Sequence, residues 1–397
     1  MVDSVETRIL FVGAVAEIPG LKLPRTEWKC SQTLSAEKAL ELCVDHSYDL
    51  VVTSNRLPKL DGTELLRTIK HIAPSAIRML VIEPDEVEAF RTLVCDAQQI
   101  LVKPLVRKRF VEKLKNALAL RSVINDPTIL KVLGDADALP PLPRIFGLVC
   151  EKLGDDETAL SEVAAIISED IVLSSRVLKL ANSALFSPRE PIGDIGHAVA
   201  MLGGVAVSAL VFAYGVTDSF KRGAVTDGFA EQLHRHSVEC AVRASNILLA
   251  RGGNLWQADQ VFFCGIAHNL GKLVLASLLP MRWKKIQDEI ATGNHGALEA
   301  ERMLAGASHC ELAAYLMAVW GFPLNMVEAV AYHHEPSRAP NRPSELLCAL
   351  HLADNLCENN PFEVQLDWQG LAKAGISKGD FAELEKNGGG AGGFPLR

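Results

Sequence analysis

Apolar residues follow two different patterns along this chain, and the change comes near residue 120. Before it, short runs are almost wholly apolar: Ile9 to Val12, Leu50 to Thr53, Met79 to Ile82 and Ile100 to Val102. Runs without alternation suit strands covered on both faces, as in a parallel sheet with crossover helices. Between them Ala36, Ala39, Leu40 and Cys43 share a helical face, as do Leu65, Leu66 and Ile69, and later Val111, Leu114 and Leu118. The pattern predicts a small doubly wound α/β domain. Pro19, Gly20 and Pro24 crowd the place of its first helix, which is expected to be short or lost. Beyond Asn125-Asp126-Pro127 and the stiff run Leu139-Pro140-Pro141-Leu142-Pro143, strand signals disappear over long stretches. Ser161 reads as the N-cap of a helix presenting Val163, Ile166 and Ile167, and after Asp170 the positions Leu173, Val177, Leu180 and Ala181 share one face. An all-α region is predicted, ending in a short helix at 377–386 and a flexible Gly-rich tail at 388–393.

Length and charge narrow the picture. At 397 residues the chain exceeds what one core usually organises, and 49% apolar residues supply material for two. A net charge of -8 argues against a protein that coats nucleic acid, because neutralising phosphate requires a basic field. The nine cysteines form no Cys-x-x-Cys pair, and most sit in apolar runs where thiols act as small hydrophobes, so a reducing cytoplasm is expected. Acidic Asp3 and Glu6 ahead of a short apolar run are the wrong flank for a signal peptide. Residues 198–216 carry no charge and are long enough to cross a membrane, but Gly203-Gly204 divides them, so buried core helices are expected instead.

Two motifs in the first region carry a resemblance. "YDLVVTSNRLPKLDG" at 48–62 and "ILVKP" at 100–104 make residues 7–121 similar to a response-regulator receiver domain, with a flavodoxin-like sheet. The resemblance implies a phosphoacceptor at the end of the third strand, a pair of acids holding magnesium, a switch hydroxyl after the fourth strand and a lysine after the fifth. The matching positions here are Ser54, Gly13-Ala14, about Glu83, and Lys103. Hard divalent cations take carboxylate oxygens, which the first two of these cannot provide. A phosphorylation-incompetent pseudo-receiver is therefore expected, with Lys103 a leftover cation capping the strand ends.

The second region resembles the HDOD domain, a helical relative of the HD phosphohydrolases. "LPPLPRIFGLVCEKL" at 139–153, "EVAAIISEDIVLSSRVLKLANSALFS" at 162–187 and "PIGDIGHAVAMLGG" at 191–204 carry the likeness. The expected fold class is thus α/β plus all-α. The expected organisation is a degenerate receiver at 1–121, a linker at 122–138, an HDOD helical bundle at 139–345 and a helical extension at 346–397.

Eight of the eleven histidines lie between 234 and 351, too many for independent placement. In the order the HD superfamily implies, the candidate site is His236, His268, Asn269, His309, His333, His334 and Asp354. His268 and Lys272, four apart in "HNLGK", share a helical face, which makes Lys272 a candidate phosphate contact. An HD pair would have a carboxylate where Asn269 stands. One charge pair at contact distance is worth roughly 4 kcal/mol at an effective dielectric of about 20, and a dication doubles the stake. A two-metal site should be lost. What stays open is a hydrogen-bonded pocket without metal, a single divalent ion held by three histidines and Asp354, or residual hydrolysis of a cyclic dinucleotide or nucleotide. His197, His234, His295 and His351 have no role in the motif, and Phe262, Phe263, Trp320 and Phe322 read as packing residues. The leading expectation is a regulatory protein without catalytic residues, whose partners are a kinase, a regulator or a second copy, with no membrane involved.

Overall fold

The computed structural model describes residues 7–13, 28–73, 76–86, 97, 99–119, 143–153, 160–183, 185–186, 188, 190–220, 225–320, 322–340, 342–357 and 365–386. The expected loss of a helix around Pro19 and Pro24, the linker at 122–138 and the tail at 388–393 fall outside these residues. The chain divides into two compact units, one of residues 1–141 together with 315–323 and one of residues 142–314 and 324–397.

The first unit is a parallel sheet of β1 (Thr7–Val12), β2 (Trp28–Thr33), β3 (Leu50–Ser54), β4 (Ile77–Ile82) and β5 (Gln99–Val102), in the order β2-β1-β3-β4-β5. Ile9 pairs with Leu50, Leu50 with Ile77 and Met79 with Gln99. Leu10, Val12, Val51, Leu80 and Ile82 point to one face, beneath α1 (Ala36–Asp45) and α2 (Gly62–Ile72). Ile9, Phe11, Leu50, Val52, Met79 and Val81 point to the other, where α3 (Arg107–Ala119) lays down Phe110 and Leu114. Both faces are covered, which is why the central strands are apolar without alternation. β2 escaped the sequence reading. As an edge strand it pairs on one side, only its Trp28 is buried, and Lys29, Ser31 and Gln32 interrupt it, so no apolar run announces it.

The second unit is helical throughout its described residues. It begins with α4 (Arg144–Leu153), α5 (Leu160–Ser168), α6 (Ile171–Ala181), α7 (Ile195–Leu202) and α8 (Gly204–Ser219). It continues through α9 (Asp227–Ala250), α10 (Leu255–Ala267), α11 (Leu270–Leu278), α12 (Pro280–Thr292) and α13 (Ala297–Ala305). It closes with α14 (His309–Val319), α15 (Leu324–Ala331), α16 (Glu345–Leu356), α17 (Trp368–Lys373) and α18 (Lys378–Lys386). Ser161 lies inside the first turn of α5, not before it, because the helix already includes Leu160. Asp170 caps α6 by accepting from both Val172 and Leu173 N–H at 2.9 Å. The uncharged stretch at 198–216 breaks at Gly203, with φ 79°, into helices bent by 112° that are largely buried. Phe146, Phe212 and Phe263 cluster with ring centroids 4.9–6.0 Å apart, in keeping with a packing role for Phe263.

The long helix α9 is the wall against which α10 and α16 pack. Gly265 permits the α9–α10 approach, since a Cβ there would stand 2.7 Å from Ala241 N. Asp170→Ala should cost about 1 kcal/mol in urea unfolding of the full chain through loss of the α6 cap.

Candidate functional site

The predicted site residues arrive from several elements of the helical unit. α9 carries His236, the α10–α11 junction carries His268 and Asn269, and α14 opens with His309. His333 and His334 follow α15, and Asp354 sits near the end of α16. All seven side chains are buried. His268 and Asn269 form the break between two helices, with Lys272 N–H bonded to Asn269 O at 3.0 Å. His268 and Lys272 therefore do not share one uninterrupted helix, a correction to the i, i+4 reading. The adjacent Gly271 lets α11 meet the start of α14, because a Cβ there would run into His309 O.

The side chains gather into two groups, His236 with His268 and Asp354, and His309 with Cys310, His333 and His334. The His268 and His333 rings link them, with centroids 5.0 Å apart. In the first group His236 Nε2 and His268 Nε2 face each other at 3.3 Å, and His236 Nδ1 has no hydrogen-bond partner. His268 Nδ1 donates to Gly265 O at 2.7 Å, and its Nε2 receives the Asn269 amide at 2.5 Å. His236 Nε2 meets Asp354 Oδ1 at 2.9 Å. In the second group the outer nitrogens of His309 and His333 are hydrogen-bonded, that of His334 is not, and inner nitrogens face each other. His309 Nδ1 bonds Glu301 Oε2 at 2.7 Å, His333 Nδ1 bonds Val330 O at 2.7 Å, and His334 Nδ1 faces Asp354 Oδ2 at 3.3 Å. His309 Nε2 and His334 Nε2 then stand 3.2 Å apart. Two neutral imidazoles with lone pairs opposed at that distance repel unless a cation or proton lies between them.

Burial shapes the charges. It pushes His268 below its ordinary value and His309, His333 and His334 well below theirs, so these rings are neutral. Burial works against the Asp354 carboxylate, yet hydrogen bonds from His236 and His268 hold it well below the usual range. Burial drives Lys272 down to about 8 and Glu301 up to about 7, each opposed by the other's charge. The Cys310 thiol is pushed well up by burial and by Glu301.

These donors fit a divalent metal. A ligating histidine characteristically gives its other nitrogen to a carbonyl or carboxylate, as His268, His309 and His333 do. Asn269 Oδ1 is buried with no hydrogen-bond partner, an acceptor that a cation would satisfy. Sequence reasoning missed Cys310 and Glu301. Cys310 had a signal, since it directly follows His309, but cysteine in an apolar run reads first as packing. Glu301 lies eight residues before His309 on α13, and no local spacing ties them. His351 serves the fold: its Nδ1 donates to His333 O at 2.6 Å and its Nε2 accepts from Asp367 N–H at 2.9 Å, fixing the turn that holds His333.

In the sheet unit, Ser54 closes β3 beside Gly13, whose added Cβ would lie 3.3 Å from Ser54 Oγ and would run into Leu57 Cδ2. Lys103 Nζ pairs with Glu83 Oε1 at 2.6 Å. Asn55 and Arg56 bond Glu86 at 3.0 and 3.1 Å, and Arg56 bonds Asp85 at 2.7 Å, so the strand ends around Ser54 are tied together.

Comparison with known proteins follows the same division. The model of the HDOD domain matches residues 139–336, and the model of the response regulator receiver domain matches 19–115. This chain is a receiver–HDOD protein. The receiver–HDOD protein is 24% identical to an HDOD domain protein of unknown function from Geobacter sulfurreducens, over 69% of this chain and 94% of that one, with a TM-score of 0.51. It is 25% identical to a Shewanella amazonensis protein provisionally named a phosphohydrolase, over 66% of this chain and 95% of that one, with a TM-score of 0.50. An uncharacterised protein of Treponema pallidum is 27% identical over 218 residues, 55% of this chain. The chain spans 42% of the length of that curated relative. Five of the clustered histidines and Asn269 lie inside the HDOD match, and Asp354 lies beyond it.

Gly271→Ala should lose about 1–3 kcal/mol by overpacking against His309. Gly147→Ala in α4, where a Cβ meets nothing within 4 Å, should instead gain up to about 1 kcal/mol from helix propensity. Parallel urea titrations of the two variants check both signs.

Proposed function

We propose that the receiver–HDOD protein is a cytoplasmic regulator of bacterial signal transduction that acts by contact with other signalling proteins, without phosphoryl transfer at its receiver and without hydrolysis at its HDOD domain. The observation that carries this reading is the Lys103–Glu83 ion pair at 2.6 Å. A receiver lysine contributes by meeting an arriving phosphoryl group, and here a carboxylate already occupies it. The pair is partly exposed, so it adds only about 0–1 kcal/mol to stability. Its importance lies in what it occupies. Ser54 offers a hydroxyl in place of an acyl-phosphate-forming carboxylate, and Leu57 fills the space in which an acid at residue 13 would begin. Magnesium has no carboxylate pair to take it.

In this reading the receiver is a docking module for a kinase, a regulator or a second copy, and the HDOD bundle is the effector surface. Asn269 extends the same logic to the helical unit, where the amide bonds His268 Nε2 and leaves that position without negative charge. Nucleic acid and membrane are not partners here, in line with the net charge of -8.

A second reading, an HD-type metal phosphohydrolase acting on cyclic dinucleotides or nucleotides, is favoured by the buried His/Asp cluster and by the name given to the Shewanella amazonensis protein. A bound ion would supply Lewis acidity toward a phosphate oxygen. The chain's own residues would hold the ion through His236, His268, His309, His333, His334 and Asp354 and present Lys272 to the phosphate. Lys272 is 1% exposed, which leaves its ammonium little access to a substrate from solvent.

With acetyl phosphate and magnesium, the intact mass of the wild-type chain should not change. Ser54→Asp should stay equally inert, because Leu57 and Glu83 still exclude the ion and engage the lysine. A hydroxylamine-labile adduct on the wild type would overturn the receiver reading. Turnover of a cyclic dinucleotide that vanishes in His268→Ala would establish the second reading instead.

A further inference from the structure

The two halves of the histidine cluster differ in a way that the site's overall likeness to HD proteins does not anticipate. The half built on Asp354 offers nitrogen and oxygen donors only: His236 pairs with the carboxylate, the Asn269 amide bonds His268, and His236 Nε2 and His268 Nε2 face each other at 3.3 Å. The half built on α14 brings four donors together, and one of them is sulfur. Cys310 Sγ lies 3.5 Å from His309 Nε2 and 4.0 Å from His333 Nε2, while His309 Nε2 lies 3.2 Å from His334 Nε2. All four ligand atoms fall within 4.8 Å of one another.

Those separations have a chemical meaning. Around a tetrahedral zinc with Zn–N of about 2.0–2.1 Å and Zn–S of about 2.3 Å, the edges are roughly 3.3 Å between nitrogens and 3.5 Å between nitrogen and sulfur. The His309–His334 and Cys310–His309 pairs already have nearly these lengths, and His333 needs a small inward shift. Each imidazole also has its outer nitrogen facing an acceptor: the Glu301 carboxylate, the Val330 carbonyl and the Asp354 carboxylate. For His309 and His333 that arrangement fixes the tautomer that leaves Nε2 free as a ligand. Cys310 sits in the first turn of α14, and its buried thiol would give up its proton on taking the ion.

We propose that His309, Cys310, His333 and His334 form a closed tetrahedral site for one thiolate-accepting divalent ion of the zinc class, displaced from the position that an HD Asp would anchor. Four protein ligands complete the coordination shell, which is the mark of a structural centre with no position left for substrate. The ion ties the start of α14 to the turn after α15. A thiolate also selects against magnesium and calcium, which take oxygen. Such a centre is compatible with a contact-based HDOD domain but does not follow from it.

The test uses the full chain loaded with zinc(II), desalted, and measured by elemental analysis and X-ray absorption at the zinc edge. One ion per chain with one sulfur neighbour at about 2.3 Å is expected. With cobalt(II) in place of zinc, a thiolate-to-cobalt charge-transfer band should appear, persist in Cys264→Ser and vanish in Cys310→Ser. Zinc affinity in Cys310→Ser should fall by at least the roughly 10–100-fold that loss of an outer-shell partner alone costs. A zinc shell of nitrogen and oxygen only overturns the proposal, as does a folded wild-type chain that retains no zinc. The absorption spectrum of the wild type decides the matter even if Cys310→Ser fails to fold. Because no activity is read, the outcome is separate from whether the protein acts by contact or by hydrolysis.

Discussion

An amide hydrogen-bonded to an imidazole sets the character of the helical unit. Asn269 lies at the break between α10 and α11, directly against His268, in a pocket closed to solvent. A carboxylate there would oppose the repulsion between two dications, and an amide cannot. At an effective dielectric of about 20, each charge contact forgone is worth roughly 4 kcal/mol, far more than any single packing adjustment around it. The neighbouring groups follow from that one exchange. His236 turns to Asp354, the Asn269 amide takes the His268 lone pair, and the remaining nitrogen donors are directed toward Cys310. Buried imidazoles kept neutral by desolvation can tolerate this crowding only with a hydrogen bond or a cation at each inward nitrogen.

In the receiver unit the strand ends carry an aliphatic side chain and an ion pair: Leu57 over Gly13, and Glu83 on Lys103. The sheet beneath them keeps its apolar layers on both faces. Fold and site are thus separable in both units, as they are generally.

Much of this was legible in the chain. The doubly covered strands β1, β3, β4 and β5 show themselves because a two-sided burial constraint leaves no polar positions. β2 did not, since an edge strand obeys only half that constraint. The seven candidate residues stood out because the histidines are too numerous for chance and fall in the order that the HD resemblance implies, and the structure buries all seven. Cys310 and Glu301 did not, for opposite reasons: thiols pack as readily as they ligate, and the Glu301–His309 contact depends on how α13 turns into α14. The division of the cluster into two groups, one of them with a sulfur donor, depends on how the helices pack, which no spacing records.

The account stands on the charge missing at residue 269, and counting ions tests it most directly. Elemental analysis of the wild-type chain and of Asn269→Asp, each saturated with manganese or zinc and desalted, should give one ion per wild-type chain. The restored acid should admit a second. Two ions bound to the wild-type chain would contradict the account, because the amide would then have removed nothing.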